Sequence, residues 1–175
     1  MKILGLSGSA RPKGNSMKLL TEAIRGANDA GAETEIISLY NMNFKGCRSC
    51  FACKRKSNFY GKGCAIKDDF TEVMEHSWAY GSKGNALKGK FFIASMTVGG
   101  PEKEYQHDGI VTYTMDEFMA FIKRYTVTCK MEFKKLFCTY GANYIKGVYP
   151  EEKYTQVVND CKKHAAELAE FVKTL

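Results

Sequence analysis

The chain has 175 residues, 45% of them hydrophobic, and a formal net charge of +7 at pH 7. That length and apolar content suit one folded domain over 1–175 with a real core, which excludes a disordered chain. The positive balance favours anionic ligands, and no nucleic-acid recognition motif accompanies it. Seven cysteines with no signal peptide point to a reducing, cytoplasmic setting. The opening apolar run is too short for a signal segment, and no stretch reaches transmembrane length.

In chain order, the first predicted element is a short apolar strand over 2–6. Ser16 is a candidate N-cap for a helix that lines Leu19, Leu20, Ala23 and Ile24 along one face. Gly26 and Gly31 mark its end. The run from Glu33 to Tyr40 carries Ile36, Ile37 and Leu39 and reads as a second strand. Strand, helix and strand in this order form a βαβ unit, so the sheet is predicted to be parallel and helix-covered. From Asn41 to Gly89 the only branched aliphatic residues are Ile66, Val73 and Leu87, and no strand-like run occurs. A buried strand follows over 91–96 and ends in the loop Thr97, Val98, Gly99, Gly100, Pro101. Asp116 is a candidate cap for a helix bearing Phe118, Phe121, Ile122 and Tyr125. Another strand spans 135–140 and is closed by Gly141. The last helix starts near Glu151 and places Val158, Cys161, Ala165, Leu168 and Val172 on one face.

The loop between the first strand and the first helix is small, polar and basic. Its hydroxyls and amide (Ser7, Ser9, Asn15, Ser16) can donate hydrogen bonds, and Arg11 adds a planar charged fork. Free N–H groups and the helix dipole at the helix start both favour phosphate. The loop is neither G-x-G-x-x-G nor a P-loop, and its length suits a terminal phosphate. GLSGSARPKGNSMKLL resembles the flavin-phosphate loop of the flavodoxin-like NAD(P)H-dependent FMN reductases and iron–sulfur flavoproteins. The resemblance implies a flavodoxin-like three-layer α/β/α fold. It assigns the FMN phosphate to Ser9, Arg11, Asn15, Ser16 and Met17, beside the donor Ser7.

AYGSKGNALKGKFFIASMTVGGPEKEYQHDGIVTY is similar to the quinone reductases of the same superfamily. There a Thr-x-Gly-Gly turn touches the isoalloxazine and a following Tyr reaches the flavin edge. The matching residues are Thr97, Val98, Gly99, Gly100 and Tyr105, and YGAN at 140–143 matches the last strand and its loop. Glycines let a backbone approach a flat ring. Some animal quinone reductases carry a catalytic His where this chain has Val111. His107 lies nearby, and Tyr105 and His107 are the candidate catalytic residues. The resemblance covers most of 1–74 and 76–141, with a central strand–loop–helix unit absent near Met74–His76. The usual third strand is therefore expected to be missing, with the gap closed by rearrangement, by a partner chain, or by residues outside this sequence.

Cys47, Cys50, Cys53 and Cys64 form C-x2-C-x2-C-x10-C. This resembles the cluster segment of iron–sulfur flavoproteins, with a longer last gap. Free thiols, a 4Fe–4S cluster and a tetrahedral zinc site all stay open. Asp68 and Asp69 read as helix N-terminal charge rather than an acid pair, and Cys129, Cys138 and Cys161 as core or isolated thiols.

The resemblance implies an FMN-dependent NAD(P)H oxidoreductase acting on quinones, flavins or other small acceptors, with no membrane partner. Relatives are commonly dimers with the flavin near the subunit interface, so a homodimer or higher homo-oligomer is expected. Two alternatives are an iron–sulfur/flavin electron carrier between proteins and a non-catalytic module that has lost its flavin.

Overall fold

The structure, a computed structural model, describes residues 1–45, 50, 52, 65–66, 68–69, 79–81, 84–144 and 147–175. In chain order the elements are β1 (Lys2–Ser7), α1 (Asn15–Asp29), β2 (Glu33–Ser38), β3 (Phe91–Thr97), α2 (Met115–Phe118), α3 (Ala120–Thr128), β4 (Glu132–Thr139) and α4 (Glu151–Lys173). They form two compact units. One comprises Met1–Tyr40, Ala94–Phe118 and Leu136–Leu175; the other comprises Asn41–Ile93 and Met119–Lys135.

In the first unit, β1 and β2 pair in parallel from Lys2↔Glu33 to Ser7↔Ser38, and α1 is the crossover between them. The predicted face of α1 divides into two stripes. Leu20 and Ile24 lie over Gly5 of β1, while Leu19, Ala23 and Ala27 are buried. Leu19 packs with Val157, Cys161 and Ala165 of α4. A fully buried leucine of this kind contributes about 2 kcal/mol. Gly26 does not end the helix. It sits inside α1, where a Cβ would come within 2.5 Å of the Ala169 Cβ, so the glycine sets how closely α1 and α4 approach. The helix stops at Gly31, whose φ of +86° suits a residue without a Cβ. Gly31 N–H bonds the Asn28 carbonyl and Ala32 N–H bonds the Ala27 carbonyl, which closes the last turn.

β3 and β4 form a separate two-stranded sheet. Glu132 N–H bonds the Lys90 carbonyl at one end and Val98 N–H bonds the Thr139 carbonyl at the other, so the strands run the same way. Among the described residues no strand lies between Ser38 and Phe91; most of the aliphatic-poor stretch falls outside them. On β1, Gly5 and Ser7 are buried while Leu4 and Leu6 are exposed.

α4 buries Val157, Cys161, His164, Ala165, Leu168, Ala169 and Val172. His164 is the unpredicted member. Its Nε2 lies 3.0 Å from Ser95 Oγ on β3 and its Nδ1 lies 2.6 Å from Thr139 Oγ1 on β4. Both ring nitrogens are thus engaged, which lets a polar ring sit in a core. Burial holds its pKa below the ordinary histidine value, opposed by Glu167 on the same helix.

The predicted helix over 116–125 is two elements, interrupted at Met119. The cap is Thr114 rather than Asp116: Thr114 N–H donates to Glu117 Oε2 (2.8 Å) and Glu117 N–H donates to Thr114 Oγ1 (3.2 Å). In the second unit, α3 ends with Lys130 at φ +59°. Its Nζ donates to the Gly84 carbonyl (2.9 Å) and to Asn85 Oδ1 (2.7 Å). Phe92 and Phe133 stack at 6.1 Å between the strands. Asp68 and Asp69 act on backbone: their carboxylates accept the N–H groups of Lys45 (2.6 Å) and Asn43 (2.7 Å).

Candidate functional site

β1 ends by burying Ser7, and the chain then turns outward through an exposed Gly8. Ser7 Oγ accepts the Ser9 N–H at 3.4 Å, and Ser9 Oγ accepts the Arg11 N–H at 3.2 Å. The Gly14 N–H bonds the Arg11 carbonyl, which folds the loop back to the helix start. Gly14, not Ser16, is the N-cap, and no side chain caps the first turn. The first N–H groups of α1 therefore face the loop without a side-chain acceptor. Their partial positive charge adds to that of Arg11.

Ser16 and Asn15 have other work. Ser16 Oγ lies 3.1 Å from Thr97 Oγ1 at the end of β3. Asn15 Nδ2 donates to the Ala142 carbonyl at 3.4 Å. The turn after β3 is stitched to the loop after β4: Gly141 N–H bonds the Gly100 carbonyl (2.8 Å) and Ala142 N–H bonds the Val98 carbonyl (2.9 Å). The structure thus brings together Asn15, Ser16, Thr97, Val98 and Gly100, which the sequence singled out in two separate stretches. The 140–143 loop is the third strand-end segment of the site. Its signal in the sequence was the glycine of YGAN, found at φ +63°.

A Cβ at Gly100 would clash with Glu104 Oε2 and meet the Tyr105 ring at 3.1 Å, so the missing side chain makes room for that carboxylate and that aromatic. Tyr105 packs on Tyr140, with ring centroids 5.7 Å apart. Burial, then Cys138, pushes the Tyr140 phenol up to about 12, so it stays a neutral hydroxyl at neutral pH. His107 sits apart from this contact. Its Nδ1 lies 3.2 Å from the Thr112 carbonyl and its Nε2 lies 3.7 Å from Glu117 Oε2, in an imidazole that is 72% exposed. Met17 lies in the first turn of α1 and is half-buried.

Of the four cysteines, Cys47, Cys53 and Cys64 lie outside the described residues. Cys50 is half-buried. No metal-binding group of His, Cys, Asp and Glu occurs among the described residues.

The donor set fits a phosphate monoester. The 7–16 loop holds hydroxyls, an amide, a guanidinium and helix-start N–H groups, and not one carboxylate. Nothing lies within 4 Å of where a Gly8 Cβ would stand, so the loop is open on that side.

The family model for NADPH-dependent FMN reductases matches residues 1–80, and that for the flavodoxin-like fold matches residues 66–165. An iron–sulfur flavoprotein of Methanocaldococcus jannaschii is 41% identical over 75 residues, which are 43% of this chain and 36% of that protein. An uncharacterized NAD(P)H oxidoreductase of Bacillus subtilis is 28% identical over 110 residues, 63% of this chain and 54% of that protein. The chain thus spans less than two thirds of either relative's length. Among solved structures, general stress protein 14 of Treponema denticola, in complex with FMN, aligns with a TM-score of 0.60 at 19% identity, covering 96% of this chain and 97% of that one. An NADPH-quinone reductase of P. pentosaceus aligns with a TM-score of 0.54 at 13% identity, covering 94% and 97%. At these identities the likeness to the solved structures is one of fold.

Proposed function

Because the chain belongs to the flavodoxin-like fold family, we propose that it is an FMN-dependent NAD(P)H oxidoreductase reducing quinones, flavins or similar small acceptors. One observation carries the reading. A carboxylate-free donor loop at a helix start is hydrogen-bonded, through Ser16–Thr97 and Asn15–Ala142, to the glycine turn after β3 and the loop after β4. In open α/β sheets, ligands bind outside the carboxyl ends of the strands, where these segments meet.

When bound, FMN supplies the hydride chemistry. The chain's residues do the holding. Ser9, Arg11, Asn15, Ser16 and the N–H groups from Asn15 to Met17 would hold the phosphate, with Ser7 bracing Ser9. The Thr97–Gly100 turn and Tyr105 would border the ring. Hydride transfer needs no protein nucleophile. His107, tied to Thr112 and Glu117, braces its own loop in this reading.

No described helix is long and apolar enough to cross a membrane. We place the protein in the cytoplasm, acting on a small-molecule acceptor as a homodimer or higher homo-oligomer. A second reading, an electron carrier with a cluster on Cys47, Cys50, Cys53 and Cys64, draws support from the name of the archaeal relative.

The test is a visible spectrum of protein purified without air, followed by FMN titration and iron analysis. Flavin bands that bleach with NAD(P)H are expected. An added broad shoulder with stoichiometric iron favours the carrier. A protein that takes up no FMN overturns both.

A further inference from the structure

The 101–118 segment has a chemistry of its own. It carries five carboxylates (Glu102, Glu104, Asp108, Asp116, Glu117) against one ammonium, Lys103, in a chain whose net charge is +7. It also carries a continuous run of rings. The run starts at Gly100, over which Tyr105 packs. Tyr105 meets Phe118 edge-on at 6.5 Å, and Phe118 meets Tyr113 edge-on at 6.2 Å. The outer rings are open to solvent, Phe118 at 52% and Tyr113 at 58% exposure.

The segment is held in shape by its own bonds. Val111 N–H reaches back to the Glu104 carbonyl at 3.0 Å, and Gly109 N–H bonds the Gln106 carbonyl at 3.0 Å. Thr114 and Glu117 cap the turn that carries Phe118. Aromatic side chains held this way present a face at small entropic cost. The rings meet edge-on and so form a stepped aromatic wall, against which a flat ring packs face-on to one ring and edge-on to the next. The segment's excess of carboxylates gives it a negative charge that discriminates between charged ligands.

We propose that Phe118 and Tyr113 extend the Tyr105 contact into a docking platform for the electron acceptor. The carboxylates of this loop select an uncharged or cationic flat aromatic acceptor over an anionic one. This rests on the oxidoreductase reading and narrows its substrate class: neutral quinones and cationic dyes are favoured, and sulfonated quinones and flavin phosphates are disfavoured as acceptors. In the overall reaction a quinone gains a hydride equivalent from NAD(P)H, which leaves as NAD(P)+, and one proton from solvent, giving the hydroquinone.

The experiment uses three probes: menadione (neutral, two fused rings), methylene blue (cationic, three) and anthraquinone-2-sulfonate (anionic, three). Equilibrium dialysis against the FMN-free protein measures binding, and steady-state kinetics on the FMN-loaded protein separates KM from kcat. Wild type is expected to hold methylene blue at least tenfold more tightly than the sulfonate. Phe118→Ala and Tyr113→Ala are each expected to raise the menadione KM about tenfold with kcat and FMN affinity unchanged. Phe118→Leu, which keeps apolar bulk and loses the ring, should do the same. The double variant Glu102→Lys with Asp108→Lys should reverse the preference between dye and sulfonate. Equal binding of dye and sulfonate by wild type overturns the proposal. So does an unchanged menadione KM in the ring variants, including the case where Phe118→Ala dissociates an oligomer on sedimentation, which would make the patch an interface between copies. Selective dye binding by a protein that takes up no FMN would keep the platform and sink the oxidoreductase reading; FMN uptake without selectivity would do the reverse.

Discussion

The loops after β1 and β3 lie in one unit of the fold, joined by the Ser16–Thr97 hydrogen bond, yet they are built oppositely. The 7–16 loop is basic, hydroxyl-rich and open, and it ends in an uncapped helix. The 97–118 segment is acidic and aromatic, and its hydrogen bonds close mainly on itself. The first engages its Ser9, Asn15 and Ser16 side chains within the fold and leaves the Arg11 guanidinium and the start of α1 without a side-chain cap. The second spends its donors on its own shape and offers rings. In the proposed reading the first loop holds a phosphate and the second presents a surface.

Four changes sharpen this contrast, from the largest expected effect to the smallest. Replacing Ser9 and Ser16 together by Asp puts two carboxylates at the helix start. FMN affinity should fall about 100-fold, roughly 2.7 kcal/mol, in a fluorescence titration. An unchanged affinity would place the phosphate elsewhere. Arg11→Ala removes one exposed charge from the same loop and should cost about tenfold, roughly 1.4 kcal/mol. The loss should shrink as salt rises, because an exposed charge is screened. Thr114→Ala acts on the other loop. Losing the reciprocal cap should lower unfolding stability by about 1 kcal/mol in urea melts and leave FMN affinity alone. A change in FMN affinity would mean that the two loops are not separable.

The mildest effect concerns His164, which joins β3 and β4 to α4 through Ser95 and Thr139. Its folded pKa lies below the ordinary 6.5 because burial disfavours the imidazolium. Below that pH the unfolded chain takes up the proton first, so stability is full above about pH 6.5 and declines as the pH falls. Melting temperatures between pH 7 and pH 5 should show this slope, and His164→Gln should flatten it. Equal slopes would assign the acid sensitivity to other groups.

Much of the scaffold was legible because periodicity reports burial. The alternation of strand and helix over the first forty or so residues marked β1, α1 and β2. Three features were not legible, each for a tertiary reason. Gly26 looks like a terminator until Ala169 is seen pressing on it. Ser16 has the composition of a cap, but its hydroxyl is drawn to Thr97 and the cap falls to Gly14. His164 fits no apolar pattern, and only the two hydroxyls that meet it explain a buried imidazole. At the site, local sequence identified the two loops separately. Their bonding to each other, and the closing role of Gly141 and Ala142, needed the fold.

The most direct measurement is a paired titration of the FMN-free protein with FMN and with riboflavin, which lacks the phosphate. The account predicts that FMN binds about 100-fold more tightly, because most of the grip lies in the 7–16 loop. Equal affinities for the two would contradict it.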